Sequence, residues 1–569
     1  MEKPLTILGI GGYTFDAAAC LIRDGEIIVA IEEERFSRLK HHSGMANRAI
    51  KHCLEKAHIG PENIDYISFC YKPWLRYARR IPYRLVKMFT HPVYSYRILT
   101  HEIGFVQNFL RELKLLSGKN TKIIYPGHHL CHAASTFFVS PFEEASILTI
   151  DQRGEWDTTF LGIGTGNKIK KLKAIGYPHS LGIFYAAITH YLGFKPDSDE
   201  YKVMGLSAYG KPNYLKEMRD IVNIDKNGAF HLDLSYFAYH LNRGFYNAPY
   251  WQPKFFKMFG PARKPNEQVT QHHMDIAASA QRRLEEIVYH MADYLYKQTK
   301  SENLCIAGGV GMNGVLNGKL LQRGPFKYFY IPPVSSDNGL ALGGALAIYH
   351  NMLNFPRNNS LQRADWGTEY SDNEVESALK IAKVSYRRCK KPAAEAARLI
   401  AEGKIVGWFQ GRMEYGARAL GFRSILANPT IPEMKDIINK FVKHRENFRP
   451  FAPAVIFDYA REYFEMSDPI PFMTTVVPVK KEKKSVIPSV THVDGTARLQ
   501  TVTRENNPLF WELIDEFGKI TGVPIVLNTS FNVMGEPLVE SPGQALRTFF
   551  STGIDALVIG PFLINKNGA

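Results

Sequence analysis

The chain opens on short apolar runs broken by polar turns. Residues 5–10 read as a strand, 11–16 as a turn, 17–22 as a second strand, 23–25 as a hairpin turn and 26–31 as a third strand. The pattern returns at Ser146, with a strand over 147–150, a polar turn over 151–157, a strand over 158–163, a turn over 165–167 and a strand from Lys168 onward. Laid together, Asp16 falls opposite Asp157 with a one-residue slip, a weak internal repeat that suggests a duplicated unit. A short buried strand over 304–307 then feeds a glycine-rich turn over 308–314, where backbone N–H groups can approach a phosphate or ribose closely. Residues 339–348 read as a buried helix. Composition shifts over 356–373 toward Pro, Asn, Ser and Gly, which reads as a linker. Beyond it, helical spacing at Val375, Leu379, Ile381 and Ala382, and strands over 405–409 and 525–527, begin a second α/β domain. The expected organisation is a first domain over 1–355, a linker over 356–372 and a second domain over 373–569.

Two strand–acidic turn–strand units, each feeding helices, fit a two-lobed actin-like (ASKHA) architecture, in which a nucleotide's phosphates sit between the turns; two unrelated hairpins would also give the pattern. At 569 residues with 45% hydrophobic and 22% charged, the chain is a folded protein of more than one domain, not a disordered or fibrous one. No apolar run approaches the ~20 residues that cross a bilayer, and the start lacks the features of a signal peptide. The six cysteines form no Cys-x-x-Cys pair and read as reduced thiols, so a cytoplasmic location is expected. The net charge of +15 permits nucleic acid, anionic lipid or phosphorylated small molecules as partners and selects none of them.

Candidate chemistry begins at His128-His129-Leu130-Cys131-His132. On a helix, His128 and His132 share one face and can bind one metal ion, or they cap and pack. The second position is His129 and not glutamate, which disfavours a zinc protease. Asp151, at the end of a buried strand, and Asp337, in Pro-Val-Ser-Ser-Asp-Asn-Gly, are the carboxylates that would complete such a site. Two His with carboxylates suit Fe(II), Mn(II) or Zn(II).

The second domain carries a dense cationic set. Arg412, Arg418 and Arg423 stand among glycines over 411–424, and Lys443, Arg445 and Arg449 follow. Arginine forks bind anionic oxygens bidentately and lysine adds a point charge, so a small phosphate is the natural ligand. A surface network with Glu414 and Glu446 is the alternative. Polar strings at 492–500 and 527–532 lie beside apolar strands. The stretch 66–101 holds no acidic residue but Lys72, Arg76, Arg79, Arg80, Arg84, Lys87 and Arg97 with interleaved aromatics, which suits RNA, an anionic membrane, an anionic acceptor or simply a solvated basic helix.

Together these residues resemble the O-carbamoyltransferases of antibiotic tailoring and nodulation, the family of tobramycin carbamoyltransferase. The likeness runs through Glu32 to Arg38, His128 to His132, Asp151-x-x-Gly-Glu155, Lys202-Val-Met-Gly-Leu, Gly308 to Asn313, Ser336-Asp337, Gly416-x-Arg418, Lys443 to Arg449 and Asn528 to Asn532. It implies an actin-like first domain and a second domain of the threonylcarbamoyl-adenylate synthase (YrdC-like) type. It implies that Arg418, Lys443, Arg449, Asn528 and Ser530 bind carbamoyl phosphate, with Arg418 and Lys443 acting in catalysis. ATP, with Mg(II), would then give carbamoyl-adenylate, lodged by Ser180, Lys202, Gly308, Gly309 and Asn313 beside a metal, Fe(II) foremost, on His128, His132, Asp151 and Asp337. A small-molecule hydroxyl or amine acceptor would take the carbamoyl group. Nucleic acid is not an expected partner, and the chain length is compatible with a homodimer. The family usually reads His-Asp-Ala-Ser after the first strand, where this chain has Phe15-Asp16-Ala17-Ala18. Phenylalanine cannot take a proton, which leaves Asp16 as the nearest candidate base. A tRNA-modifying threonylcarbamoyl-type transferase and a non-catalytic nucleotide-binding regulator are the rival readings. The hydrogenase-maturation carbamoyltransferases carry Cys-x-x-Cys pairs, which are absent.

Overall fold

The computed structural model describes residues 3–75, 78–79, 82, 85, 104, 106–242, 250–357 and 360–566. The chain is a mixed α/β protein of two compact units: residues 1–28 with 43–360, and residues 29–42 with 361–569.

In the first unit β1 (Thr6–Gly11), β2 (Ala18–Arg23), β3 (Glu26–Glu32), β4 (Tyr66–Phe69) and β5 (Lys122–Ile124) form one sheet in the order β3-β2-β1-β4-β5. A second sheet contains β6 (Glu144–Ile150), β7 (Asp157–Thr165) and β8 (Lys168–Gly176). After a small hairpin of β9 (Val222–Ile224) and β10 (Phe230–Leu232), it adds β11 (Asn303–Ala307) and β12 (Tyr328–Tyr330), in the order β12-β11-β6-β7-β8. The two orders are one topology. In each, the leading strand pairs antiparallel with the next and parallel with a later strand that itself pairs parallel with the last. The weak sequence repeat is therefore a repeat of topology. β1 and most of β2 are buried on both faces, which is why they read as continuous apolar runs and not as alternation.

Helices His128–Phe137 and Gly339–Leu346 pack against each other, and the second also lies on β1. Glycine permits both contacts: a Cβ at Gly343 would fall 1.8 Å from the Cys131 carbonyl oxygen, and one at Gly9 would fall 1.9 Å from that of Ala341. The close packing holds the His128 helix rigidly.

The second unit is built on a mixed sheet of β13 (Arg387–Arg388), β14 (Val406–Phe409), β15 (Arg423–Ala427), β16 (Ala452–Ile456), β19 (Gln500–Val502), β20 (Ile525–Ser530), β21 (Ala556–Ile559) and β22 (Phe562–Asn565). Its order is β13-β22-β21-β14-β15-β20-β16-β19. A two-stranded hairpin of β17 (Val476–Pro478) and β18 (Thr496–Arg498) accompanies it. Successive residues of a strand serve opposite cores: Val406, Trp408, Leu426 and Val526 pack with helices Pro392–Ala401 and Pro508–Thr521, whereas Phe409, Ile425, Ile525 and Leu527 enter the core on the other face.

Two boundaries differ from the sequence reading. Residues 29–42 were expected in the first domain, but from Val29 the chain belongs to the second unit, returning at Ser43. The apolar run of β3 is unbroken there, so periodicity carries no mark of the crossing. Residues 361–372 were expected as linker, yet Tyr415 and Met413 donate backbone N–H groups to the Ala364 and Thr368 carbonyls at 2.7 and 2.8 Å, and Gly367 donates to Met413 at 2.9 Å. Composition there signals irregular backbone, not a free tether. Most of the basic stretch 66–101 lies outside the described residues. Among the described residues no helix is long and apolar enough to cross a membrane. All six cysteines are buried free thiols.

Candidate functional site

Helix His128–Phe137 presents its two i, i+4 imidazoles to the end of β6. His132 Nε2 lies 2.8 Å from Asp151 Oδ2 and 3.5 Å from Asp337 Oδ1; His128 Nε2 lies 3.4 and 3.8 Å from the same atoms. The two Nε2 atoms are 3.1 Å apart. All four side chains are buried. Burial disfavours the Asp151 carboxylate, but hydrogen bonds and charge from His128 and His132 outweigh it and hold its carboxyl well below the usual range. Burial, and then the Asp151 charge, push Asp337 well above it. Two imidazoles and two carboxylates with ligand atoms within 4.8 Å of one another are the donor set of a first-row divalent ion, so the residues fit a metal.

The surroundings fix this geometry. His129 is kept neutral by burial and by its two histidine neighbours. Its Nε2 donates to the Asp157 carbonyl at 2.9 Å, so its Nδ1 accepts from Thr149 at 2.6 Å, which ties the helix to β6 and β7. The Tyr71 ring stacks on His128 at 5.4 Å, and Glu155 accepts the backbone N–H of both His128 and Lys72. Tyr71 was not singled out from sequence, and His129 entered only as the residue that stands in place of a protease glutamate.

Asp16, in the left-handed region at φ 53°, accepts a hydrogen bond from Ser336 at 3.3 Å, and its charge acts on Asp337. Ser180 caps helix Leu181–Tyr191, accepting from Ile183 N and donating to the Asp151 and Gln152 carbonyls, so it braces the Asp151 turn. Gly308, at φ 88°, lies against Ile150, where a Cβ would meet its carbonyl oxygen at 2.2 Å. A Cβ on Gly309 would lie 3.4 Å from Asp151 Oδ1. Asn313 exchanges hydrogen bonds with Gln281, which also accepts from Tyr185 of the Ser180 helix. Lys202 pairs with Asp199 at 3.2 Å over the Phe194 ring.

The second unit gathers cations. Lys443 is 2% exposed and donates to the Ser530 carbonyl, to Ser530 Oγ at 3.3 Å, and to the Asn532 carbonyl and Oδ1 at 3.0 and 2.9 Å. Burial, and then Arg445 and Arg449, lower its pKa well below the usual lysine value. Arg498 is likewise lowered well below the usual value, by burial first and then by Arg418, Arg445 and Arg449. Its Nε has no partner among the described residues. Arg449 also pairs with Glu446 at 3.8 Å. A cluster of arginine forks and a lysine suits the oxygens of a small anion. Asn528 donates to the Ala419 carbonyl and to Gln500, leaving its Oδ1 buried and unpartnered among the described residues. Arg423, by contrast, is structural: fully buried, it stacks 3.6 Å over Phe409 and donates to the Gln410, Gly411 and Thr368 carbonyls.

Residues 6–346 match the family model Carbamoyltransferase N-terminus and residues 397–566 match Carbamoyltransferase C-terminus. The chain belongs to the carbamoyltransferase family. It is an enzyme, as the resemblance implied. This carbamoyltransferase is 40% identical to Nodulation protein NolNO of Sinorhizobium fredii over 98% of the chain and 80% of that protein. It is 41% identical to Nodulation protein NolO of Bradyrhizobium diazoefficiens over 78% of the chain and 79% of that protein. It is 38% identical to the uncharacterised protein sll1178 of Synechocystis over 98% and 96%. Among solved structures, component A of (R)-2-hydroxyglutaryl-CoA dehydratase from Acidaminococcus fermentans aligns at a TM-score of 0.32 and 16% identity, covering 61% of this chain and 98% of that one. Arg445, part of the cationic set read from the sequence, and Arg498, which sequence reasoning gave no role, both stand in the cluster. A signal for Arg498 existed: it alternates with Ala497 and Leu499, both buried, so strand period alone sets it on the other face.

Proposed function

We propose that this carbamoyltransferase transfers the carbamoyl group of carbamoyl phosphate, at the expense of ATP, to a hydroxyl or amine of a small natural-product acceptor. In this reading the first unit is the actin-like transfer domain, and the second is of the threonylcarbamoyl-adenylate synthase type. The observation that carries it is the cation cluster around Arg498. Arg418, Arg449 and Arg498 take the phosphate, and the orphan Asn528 Oδ1 accepts the carbamoyl N–H. Lys443, bound to Ser530 and Asn532, shapes the wall and adds charge. Water cleaves carbamoyl phosphate to carbamate and phosphate. Carbamate then attacks the α-phosphorus of ATP, releasing pyrophosphate and giving carbamoyl-adenylate. AMP is a far better leaving group than the oxide of carbamate, which is why the ATP is used.

The first unit holds the adenylate at the turn braced by Ser180, with Gly308 and Gly309 admitting it closely and Lys202 and Asn313 beyond. His128, His132, Asp151 and Asp337 would hold a divalent ion, Fe(II) foremost, which would supply Lewis acidity at this site. Asp16, with Phe15 in place of a histidine, is the group nearest to take the acceptor proton as the carbamoyl C–O or C–N bond forms and AMP leaves. The test is product analysis at low temperature. ATP, carbamoyl phosphate and Fe(II) give pyrophosphate with wild-type protein and none with Arg449→Ala; pyrophosphate from neither refutes the two-step scheme.

A further inference from the structure

The string Glu32-Glu-Glu-Arg-Phe-Ser-Arg38 has no part in the chemistry above, yet it reaches both loops that carry the anion site. We propose that Glu32, Arg35 and Arg38 are positioning residues for the phosphate-binding cluster, an inference that rests on reading that cluster as the carbamoyl phosphate site. The pair Arg35–Glu32 is bidentate, at 3.0 and 3.2 Å, with both side chains 3% exposed. It grips one residue of the Arg418 loop from both sides. The Gly416 N–H donates to Glu32 Oε1 at 2.9 Å, and the Gly416 carbonyl accepts from Arg35 Nη2 at 2.7 Å. Gly416 lies at φ 134°, a backbone state side chains rarely adopt, so nothing local would hold it there. Arg418 follows two residues later. Farther along the loop, Glu414 accepts from Leu420 N at 2.7 Å.

Arg38 serves the opposite wall. It donates to the Leu538 and Pro537 carbonyls at 2.6 and 2.8 Å. The same loop includes the Glu536 carbonyl, which accepts from Asn532 Nδ2 at 2.7 Å, and Asn532 is the residue that receives Lys443. Thus one seven-residue string fixes the backbone on both sides of the cluster. Arginine suits the task because one planar fork serves a carboxylate and a carbonyl at once, which lysine cannot do. Cations that repel one another will spread unless the backbone beneath them is tied, and this string ties it.

The test is calorimetry at low temperature on the full chain, titrating carbamoyl phosphate and, separately, inorganic phosphate. Wild type, Arg35→Lys and Arg38→Met are compared, with Arg498→Met as the direct-contact control. The expected result is a Kd for carbamoyl phosphate raised about ten- to hundredfold in both string variants, with stoichiometry near that of wild type. A Kd within twofold of wild type overturns the proposal, as does lowered stoichiometry at unchanged Kd, which marks a residue needed only for folding. Arg38 is 20% exposed, so Arg38→Met keeps the test decisive if Arg35→Lys does not fold. A wild-type chain that binds neither titrant overturns the site reading itself, and with it this proposal; that failure is recognised because it appears in the parent.

Discussion

Replacing Arg498 by methionine should strengthen the empty protein and weaken the loaded one. Its guanidinium makes no hydrogen bond to another described residue, its Nε is buried without a partner, and Arg418, Arg445 and Arg449 repel it. The change therefore removes a repelled charge and no protein contact, and methionine retains much of the stem's apolar packing. Relief of an uncompensated, partly buried charge is worth about 1–2 kcal/mol. Loss of a charge-assisted hydrogen bond to the phosphate costs about 1.5–3 kcal/mol, which is roughly 10- to 150-fold in Kd. At a concentration of 100 times the wild-type Kd, carbamoyl phosphate stabilises wild type by about 2.7 kcal/mol; a variant with a hundredfold weaker Kd gains only about 0.4 kcal/mol. Urea unfolding at 10 °C, followed by tryptophan fluorescence with and without carbamoyl phosphate, reads both effects. The order of stability should invert on adding ligand. A variant less stable than wild type without ligand, or equally protected by it, would refute the reasoning.

Other expectations are as direct. His132→Ala removes one of four converging ligands, so metal analysis should fall from about one first-row ion per chain to near zero, with secondary structure retained. Burial, then the charges of Asp197 and Asp199, raise the Glu200 carboxyl to about 7. The folded chain keeps that proton up to about pH 7, whereas the unfolded chain releases it near 4.5, so stability falls as pH rises from about 4.5 through 7. Glu200→Gln still accepts the Asp197 N–H, so it should be neutral at pH 4 and stabilising by about 1–2 kcal/mol at pH 8, after discounting for partial exposure; equal stability at pH 8 would contradict this. Phe15→His should speed transfer to a hydroxyl acceptor by about a hundredfold, because it supplies a base at the acceptor; a variant with no gain on any hydroxyl acceptor would contradict this.

What the sequence disclosed was whatever leaves a periodic or spaced trace. The i, i+4 histidines announced the buried face that meets Asp151 and Asp337, because a helix of fixed pitch has little freedom to place them otherwise. The two strand–turn–strand units announced the duplicated topology of the first unit. Asp151 was legible as the carboxylate that ends a buried strand, and Asp337 as the carboxylate of a polar turn. The departure of Val29–His42 into the second unit left no such trace, since β3 continues through the crossing. The role of Gln281, which meets Asn313 across 32 positions, depends on long-range packing that no local pattern encodes. The arginines show the limit most plainly: Arg418 and Arg423 stand five positions apart in one glycine-rich segment, yet one faces the cation cluster and the other is sealed over Phe409 as part of the core.

The most direct measurement is exchange of labelled pyrophosphate into ATP, without acceptor. Adenylation of the carbamate is reversible, so the account predicts exchange that requires carbamoyl phosphate and is lost in Arg498→Met. Exchange that proceeds without carbamoyl phosphate, or no exchange with every component present, would contradict it.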